Sequence, residues 1–249
     1  MKNVFLILLS AILTSGLFSK EKDKSPDDII IDATIELARS YLGGSDKLDA
    51  IKSLNYQGTM LYADGNTGFA DIVFQKPSFQ KFEATIAEYK ETSGLDDTEA
   101  WHLLENLGDE TSRSLSLYGV EEILNMKASV WEYLNFYKRL EGRGKRVIYE
   151  GREFVNGNEC VVLTYDHSDG IWFRRYFDVT TGRVVQTFSN KGALFVEEGE
   201  MIVDGIRFPK KLTTSFVTLE EAGSIEIVYS KIEINKKFDK AIFKLPKDY

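Results

Sequence analysis

The hydrophobic positions of this chain alternate along several segments in a way that leaves both sides of a strand apolar. In one segment Ala70, Ile72 and Phe74 fall on one side, because successive side chains of a strand point to opposite faces. Phe69 and Val73 fall on the other side. Three more segments repeat the pattern less strictly: Cys160–Tyr165, Ile171–Val179 and Gly192–Val203. Both faces of such a sheet need cover, a core on one and helices, a protein partner or an apolar ligand on the other.

Helical spacing precedes these strands. Apolar residues at intervals of three and four predict an N-terminal helix that ends at Gly43-Gly44. Its predicted apolar stripe contains Ile30, Ala33, Leu37 and Tyr41. A second, short helix is expected directly afterwards, with Ser45 as its N-cap.

A wider apolar stripe runs through the middle of the chain, between Gly119 and Leu140. Its members are spaced by three or four residues: Ile123, Met126, Val130, Leu134 and Tyr137. Trp131 and Phe136 flank the stripe and widen it. This predicts one amphipathic helix of about five to six turns, or two shorter ones, that lies over a sheet and closes it.

Alternation dominates the rest of the chain. Tyr56–Tyr62 and Thr67–Lys76 form a predicted hairpin. Phe79–Tyr89 is predicted as a further strand, and Trp101 as part of another. After Gly144, turn residues separate strands at intervals of about 10 residues, which is the pattern of an antiparallel meander.

The two ends of the chain differ from its body. Residues 1–19 have the charge and apolar run of a secretory signal, so we expect export to the periplasm. Residues 20–28 are charged and predict a flexible leader. Residues 29–249 then form a single domain, which is large enough to be stabilised by burial alone. The only cysteine, Cys160, lies in a strand and is expected to be buried.

Charge and motifs narrow the function. A net charge of −8 argues against nucleic acid or an anionic membrane surface as a partner. The sequence has no paired-cysteine, H-E-x-x-H or G-x-S-x-G motif and no glycine-rich phosphate loop. Its two histidines are His102 and His167, and His167 is expected in a solvent-exposed turn. We therefore predict no catalytic residue, no metal and no cofactor, and a protein that is not an enzyme.

A binding function has more support. Apolar, aromatic and methionine side chains of the predicted sheet and helices could line a cavity for a flexible acyl chain. These candidate ligand-binding residues are Tyr56, Met60, Ile72, Phe74, Phe82, Trp101, Met126, Trp131, Phe136, Leu163, Phe173 and Phe177. The alternative is that the same residues fill a solid core, since cores and cavities draw on the same residue types.

Several short motifs occur in an order that carries more weight than any one of them. They are Ala50-Ile51-Lys52-Ser53-Leu54, Lys76-Pro77, Asp97 to Trp101, Val155–Cys160, Phe177–Gly182, Val203–Pro209 and Ile234–Pro246. In this order the chain resembles the LolA-like family of periplasmic carriers for outer-membrane lipoprotein sorting. Thr98 departs from the family pattern, which has a glycine there.

The resemblance implies an α+β fold, mainly antiparallel β: an open, strongly curved half-barrel sheet, LolA/LolB-like, with helices covering the concave face. It also implies that the helices act as a lid. The best-known carriers have an arginine before the proline, and its hydrogen bonds latch the lid. Lys76 stands at that position and is the candidate latch, although an ammonium cannot reproduce the planar donors of a guanidinium.

These inferences predict a periplasmic carrier or binding protein that shields lipid or lipoprotein acyl chains in a hydrophobic half-barrel. As the resemblance implies, its partners would be an inner-membrane transporter and an outer-membrane receptor, and we expect a monomer. The alternative hypothesis is an envelope structural or sensory module of the same fold, whose apolar face docks a protein partner.

Overall fold

One large antiparallel sheet and a few helices make up the structure, a computed structural model that describes residues 24–142, 144–216 and 223–246. The helices are α1 (Pro26–Leu42), α2 (Ser45–Asp49), α3 (Val120–Asn135) and a 3-10 helix, Lys240–Phe243. The strands are β1 (Ser53–Tyr62), β2 (Thr67–Gln75), β3 (Phe79–Ile86), β4 (Tyr89–Asp96), β5 (Glu99–Asn106), β6 (Asp109–Leu117), β7 (Arg146–Val155), β8 (Asn158–Asp166), β9 (Trp172–Asp178), β10 (Val184–Ser189), β11 (Ala193–Glu198), β12 (Met201–Val203), β13 (Ile206–Phe208), β14 (Lys211–Phe216) and β15 (Ser224–Ile234).

The order of the strands shows that the sheet is open. Across the described residues, thirteen strands pair in the order β6-β5-β4-β3-β2-β1-β15-β14-β11-β10-β9-β8-β7, and β12 and β13 form a separate hairpin. Every pair is antiparallel. Because β6 and β7 lie at opposite ends, the sheet does not close into a barrel. The predicted fold class, an α+β half-barrel with helices on one face, is confirmed.

The helix α3 covers the first arm of the sheet, which consists of strands β1–β6. Val130 and Leu134 are fully buried among side chains of β1 and β2, so this part of the predicted stripe is confirmed. The helix ends earlier than predicted, because Phe136 and Tyr137 have left-handed backbone conformations, with φ of 47° and 65°. No helix within the described ranges has the length and hydrophobicity needed to cross a membrane.

The helix α1 covers the second arm of the sheet, which consists of strands β7–β10. The face of α1 that is buried differs from the predicted one. Ile31, Ile35 and Ala38 pack on β7, β8 and β9. The predicted stripe is wrong, because Ala33 and Leu37 are exposed. The buried face also carries the polar residues Thr34 and Arg39. Because the prediction used only the spacing of apolar residues, it selected the neighbouring stripe of the helix.

Both predicted helix starts also differ from the structure. The Oγ of Ser25 accepts a hydrogen bond from the Asp28 amide at 3.1 Å, and Pro26 occupies the first turn. Residues 26–28 of the predicted leader therefore belong to α1, and residues 20–23 lie outside the described part of the chain, as does the predicted signal at 1–19. Ser45 is the first residue of α2 rather than its N-cap, which is Gly44.

One short turn in the first arm was not predicted. The segment predicted as one strand, Phe79–Tyr89, contains β3 and the start of β4, joined by a turn at Ala87, whose φ is 49°. The turn has no glycine, proline or asparagine, so the usual sequence signal is missing. The first hairpin and the meander after Gly144 match the prediction.

The strands with two apolar faces are covered on both. On β2, Phe74 faces α3, whereas Val73 packs with Phe79 and Phe243 on the outer face, the side of the sheet opposite α3. On β8, Leu163 lies under α1, and Val162 packs with Tyr176 and Val185 on the other side. The 3-10 helix thus covers the outer face of the first arm. Cys160 is buried beside Val162, as predicted.

We predict that replacing Phe243 by alanine lowers the free energy of unfolding by about 3–5 kcal/mol, because it leaves a cavity in the outer-face cluster. Urea denaturation followed by tryptophan fluorescence measures this. Phe154→Ala is the matched control, since Phe154 is 79% exposed, and its effect should stay within about 0.5 kcal/mol. Equal effects of the two substitutions would show that the outer-face cover does not stabilise the fold.

Candidate functional site

A cavity of about 320 Å³ lies between α3 and the concave face of the sheet. Its wall is formed by residues of α3 and the loop after it, of both arms of the sheet and of β13: Leu42, Tyr56, Ile72, Phe74, Gln80, Phe82, Ser129, Glu132, Tyr133, Phe136, Tyr137, Phe173, Arg175, Thr187, Phe195, Glu197, Arg207, Phe208, Pro209, Leu212, Thr214, Ile227 and Tyr229. Most of these side chains are apolar or aromatic. The volume is at the lower end of the range for small-molecule sites, ~300–1,000 Å³.

The structure brings half of the sequence-predicted site residues together around this cavity. Six of them line it: Tyr56, Ile72, Phe74, Phe82, Phe136 and Phe173. Tyr56, Ile72 and Phe82 occupy paired positions on β1, β2 and β3, so their side chains share one face of the sheet. The alternation of β1–β3 thus placed three lining residues directly.

The other six predicted residues lie elsewhere. Met60 and Met126 pack in the core between α3 and the first arm, and Leu163 and Phe177 pack beneath α1. Trp131 contacts the cluster under α1.

Trp101 lies on the outer face, where its Nε1 donates a hydrogen bond to the carbonyl oxygen of Phe243 at 2.9 Å. These six residues have the same chemistry as the lining. The strand order and the positions of the helices on the sheet decide which of the twelve residues line the cavity.

Sequence reasoning missed several lining residues on β10, β11, β14 and β15. Ile227 and Tyr229 are two residues apart on β15, so the sequence could have predicted that their side chains share one face. Thr187, Thr214 and Glu197 gave no such signal, because a polar side chain at an alternating position normally indicates the solvent face.

A buried cluster of charged side chains joins α3 to the second arm. Glu132 of α3 forms an ion pair with Arg175 of β9 and accepts a hydrogen bond from His167 Nε2 at 2.5 Å. All three residues are buried. The guanidinium of Arg175 also lies over the rings of Tyr165 and Tyr137, 5.0 and 5.2 Å from their centroids. The cluster fixes the last turn of α3 against the sheet.

The prediction that His167 lies in a solvent-exposed turn is wrong. The turn folds back beneath α3, and the imidazole is enclosed by Trp131 and Phe173, with ring centroids 5.6 and 5.8 Å away. No hydroxyl or thiol of the described residues forms a hydrogen bond with His167. The histidine–carboxylate pair therefore has no nucleophile in contact with it.

Arg39 of α1 holds the C-terminal end of α3. Its Nη1 donates to the carbonyl oxygens of Asn135 and Phe136, both at 2.8 Å, and its Nη2 pairs with Asp49 at 2.6 Å. The side chain is 4% exposed. The last carbonyls of a helix lack partners within the helix, and here a guanidinium satisfies them. The Oη of Tyr165 adds a hydrogen bond to the carbonyl of Tyr137.

Lys76, the predicted latch, lies near this junction but makes no side-chain hydrogen bond or ion pair with the described residues. Partial burial lowers the pKa of Lys76, and the positive charge of Lys138 adds to that effect. Asp49, the nearby carboxylate, is already paired with Arg39 and Lys138. The hydrogen bond that joins α1 to α3 is that of Arg39, and Arg139 in the loop after α3 forms ion pairs with Asp28 and Asp32 of α1.

A carboxyl group, Glu197 of β11, lies in the wall of the cavity. Burial raises the pKa of Glu197, and the positive charge of Arg175 partly opposes the shift. Burial also raises the pKa of Tyr133 to about 12. Within the described residues Glu197 makes no hydrogen bond and no ion pair.

A second pocket of about 240 Å³ adjoins the cavity near the end of α1. The two share five wall residues: Leu42, Glu197, Arg207, Phe208 and Pro209. Arg207 is held there by an ion pair with Glu200 and by a hydrogen bond to the carbonyl of Tyr41 at 3.1 Å. Because Glu200 and Arg183 are exposed, this pocket connects the cavity wall with the surface.

Known structures share this architecture. A putative outer membrane lipoprotein-sorting protein domain from Vibrio parahaemolyticus has a TM-score of 0.53 at 11% identity, covering 86% of this chain and 97% of that chain. A DUF1329 family protein from Desulfovibrio piger gives 0.52 at 11% identity with the same coverage of both chains. A LolA superfamily protein from Nitrosomonas europaea gives 0.50 at 11% identity, covering 84% and 97%.

At this identity the similarity establishes the fold, which is LolA-like. The resemblance inferred from the ordered sequence motifs is confirmed at that level. No protein-family model and no curated protein matches the sequence.

We predict that Glu132→Gln lowers the free energy of unfolding by about 3–5 kcal/mol, because it leaves the buried guanidinium of Arg175 without a counter-charge. Thermal and urea unfolding measure the change. Glu121→Gln on the same helix is the matched control, since its ion pair with Lys191 is exposed and its loss should not be measurable. A Glu132→Gln protein as stable as the control would show that the cluster does not hold α3.

Proposed function

We propose that the protein is a carrier or binding protein that shields an acyl chain in the cavity between α3 and the sheet. The observation that supports this most directly is the cavity itself, an aromatic and aliphatic hollow beneath a helix. Transfer of hydrocarbon out of water is worth about 0.8 kcal/mol per methylene and needs little directional contact. A flexible chain can follow the irregular, mostly apolar wall.

The size of the cavity bears on the cargo. At about 320 Å³ it suits one acyl chain rather than several. A lipoprotein with more than one chain would require α3 to move away from the sheet. We therefore propose that α1 and α3 act as a lid, with Arg39 joining the two helices.

The cellular role follows from the same proposal. The protein would be exported to the periplasm, bind lipid or lipoprotein acyl chains as a monomer without covalent chemistry, and pass them from an inner-membrane transporter to an outer-membrane receptor. The Vibrio parahaemolyticus structure of similar fold is described as lipoprotein-sorting. A docking module for a protein partner is less well supported, because α1 and α3 cover the concave face.

A cavity-filling substitution tests acyl binding. Thr214→Trp should weaken binding of a fluorescent fatty-acyl probe about tenfold or more, because the larger indole displaces at least two methylenes of the chain, each worth ~0.8 kcal/mol. Thr213→Trp on the same strand is the matched control, since its side chain points to the opposite face of the sheet. Fluorescence titration gives both affinities. A wild-type protein that binds no acyl probe would overturn the proposal.

A charge reversal tests the lid. If Lys76 latches it, Lys76→Glu should change the rate of acyl-probe exchange with little change in melting temperature, because Lys76 has no side-chain bond to lose. Stopped-flow exchange measures the rate. Arg39→Gln, which removes the hydrogen bonds of Arg39 to the end of α3, gives the effect of a weakened lid contact, and Lys237→Glu is an exposed control. Unchanged exchange in Lys76→Glu would retire Lys76 as the latch.

A further inference from the structure

Glu197 is an ionisable group in the wall of the cavity, and a site that binds only hydrocarbon does not need one. It lies on β11 two residues after Phe195, and both side chains line the cavity. The described residues offer it no hydrogen bond and no ion pair. The one guanidinium whose charge lowers its pKa, that of Arg175, is already paired with Glu132.

Four tyrosines share the cavity with this carboxyl group: Tyr56, Tyr133, Tyr137 and Tyr229. The negative charge of Glu197 raises the pKa of each of them, so all four hydroxyls lie within its electrostatic reach. None of these hydroxyls has a hydrogen-bond partner among the described residues. Tyr56 lies against Tyr133 and Tyr229, with ring centroids 6.1 and 5.2 Å away.

The wall around Glu197 is mostly aromatic and aliphatic. A carboxyl group and the faces of aromatic rings both attract positive charge.

The remaining charged groups of the wall are not available to a negative ligand. Arg175 is held by Glu132, and Arg207 is held by Glu200 and lies over the ring of Tyr41 at 4.6 Å. An anionic head group brought into the cavity would therefore meet the carboxylate of Glu197 without a free cation to balance it.

From this arrangement we propose that the cavity selects a single-chain amphiphile that carries a protonated amine at the end of its chain. The amine would donate a hydrogen bond to Glu197 among the four tyrosine rings, and the hydrocarbon would lie along the apolar wall. This proposal rests on the acyl-binding function proposed above and adds the chemistry of the head group.

Competition with a fluorescent acyl probe near neutral pH tests the proposal, using dodecylamine, dodecanol and dodecanoate. Wild-type protein should bind dodecylamine about tenfold more tightly than dodecanol, since a charge-assisted hydrogen bond is worth about that factor, and dodecanoate most weakly. Glu197→Gln should bind the amine and the alcohol equally. Glu198→Gln is the matched control, because this neighbour is exposed and pairs with Lys211 outside the cavity. It should keep the wild-type preference.

The outcomes separate the two proposals. If the acyl probe binds but the three ligands compete equally, or if the amine preference survives in Glu197→Gln, the amine proposal is wrong and acyl binding stands. If neither the probe nor any of the three ligands binds, the acyl-binding function itself is wrong. The wild-type ranking decides the amine proposal even if Glu197→Gln fails to fold.

Discussion

The buried contact between Glu132 of α3 and Arg175 of β9 is the constraint on which the rest of the structure depends. A helix held only by apolar contacts would settle into the hollow, because closer packing gains dispersion energy. The carboxylate of Glu132 can leave water only where Arg175 and His167 meet it, so α3 keeps a set height above the strands. Arg39 fixes its C-terminal end. The position of α3 beside the cavity is thus determined by these polar contacts together with the apolar packing of Val130 and Leu134 on the sheet.

Much of the fold could be predicted from the sequence, because both periodicities are strong. The apolar stripe through Val130 and Leu134 predicted α3. The alternation of apolar and polar residues, together with turn residues, predicted most of the strands. The predictions failed where polar side chains are buried or turns lack their usual residues. Arg39 and Thr34 lie on the buried face of α1, and the turn at Ala87 carries no glycine or proline. These features depend on tertiary contacts that no local pattern encodes.

The candidate site was predictable only in part, for a physical reason. A cavity lining and a core use the same aromatic and aliphatic residues, so Leu163 and Phe177 looked no different from Phe74 and Phe82. Which set borders the hollow is decided by strand order and by where α1 and α3 lie. Glu197 in the cavity wall could not be predicted for a different reason: a charged residue in an alternating strand normally faces water.

The open sheet also leaves two edge strands. β6 is one of them, and its exposed side chains are mostly polar or charged, among them Asp109, Thr111 and Ser114. An edge strand presents backbone groups with which a second molecule can pair, and polar side chains make such pairing unfavourable. Polar side chains along β6 therefore disfavour edge-to-edge pairing of two molecules at this end of the open sheet.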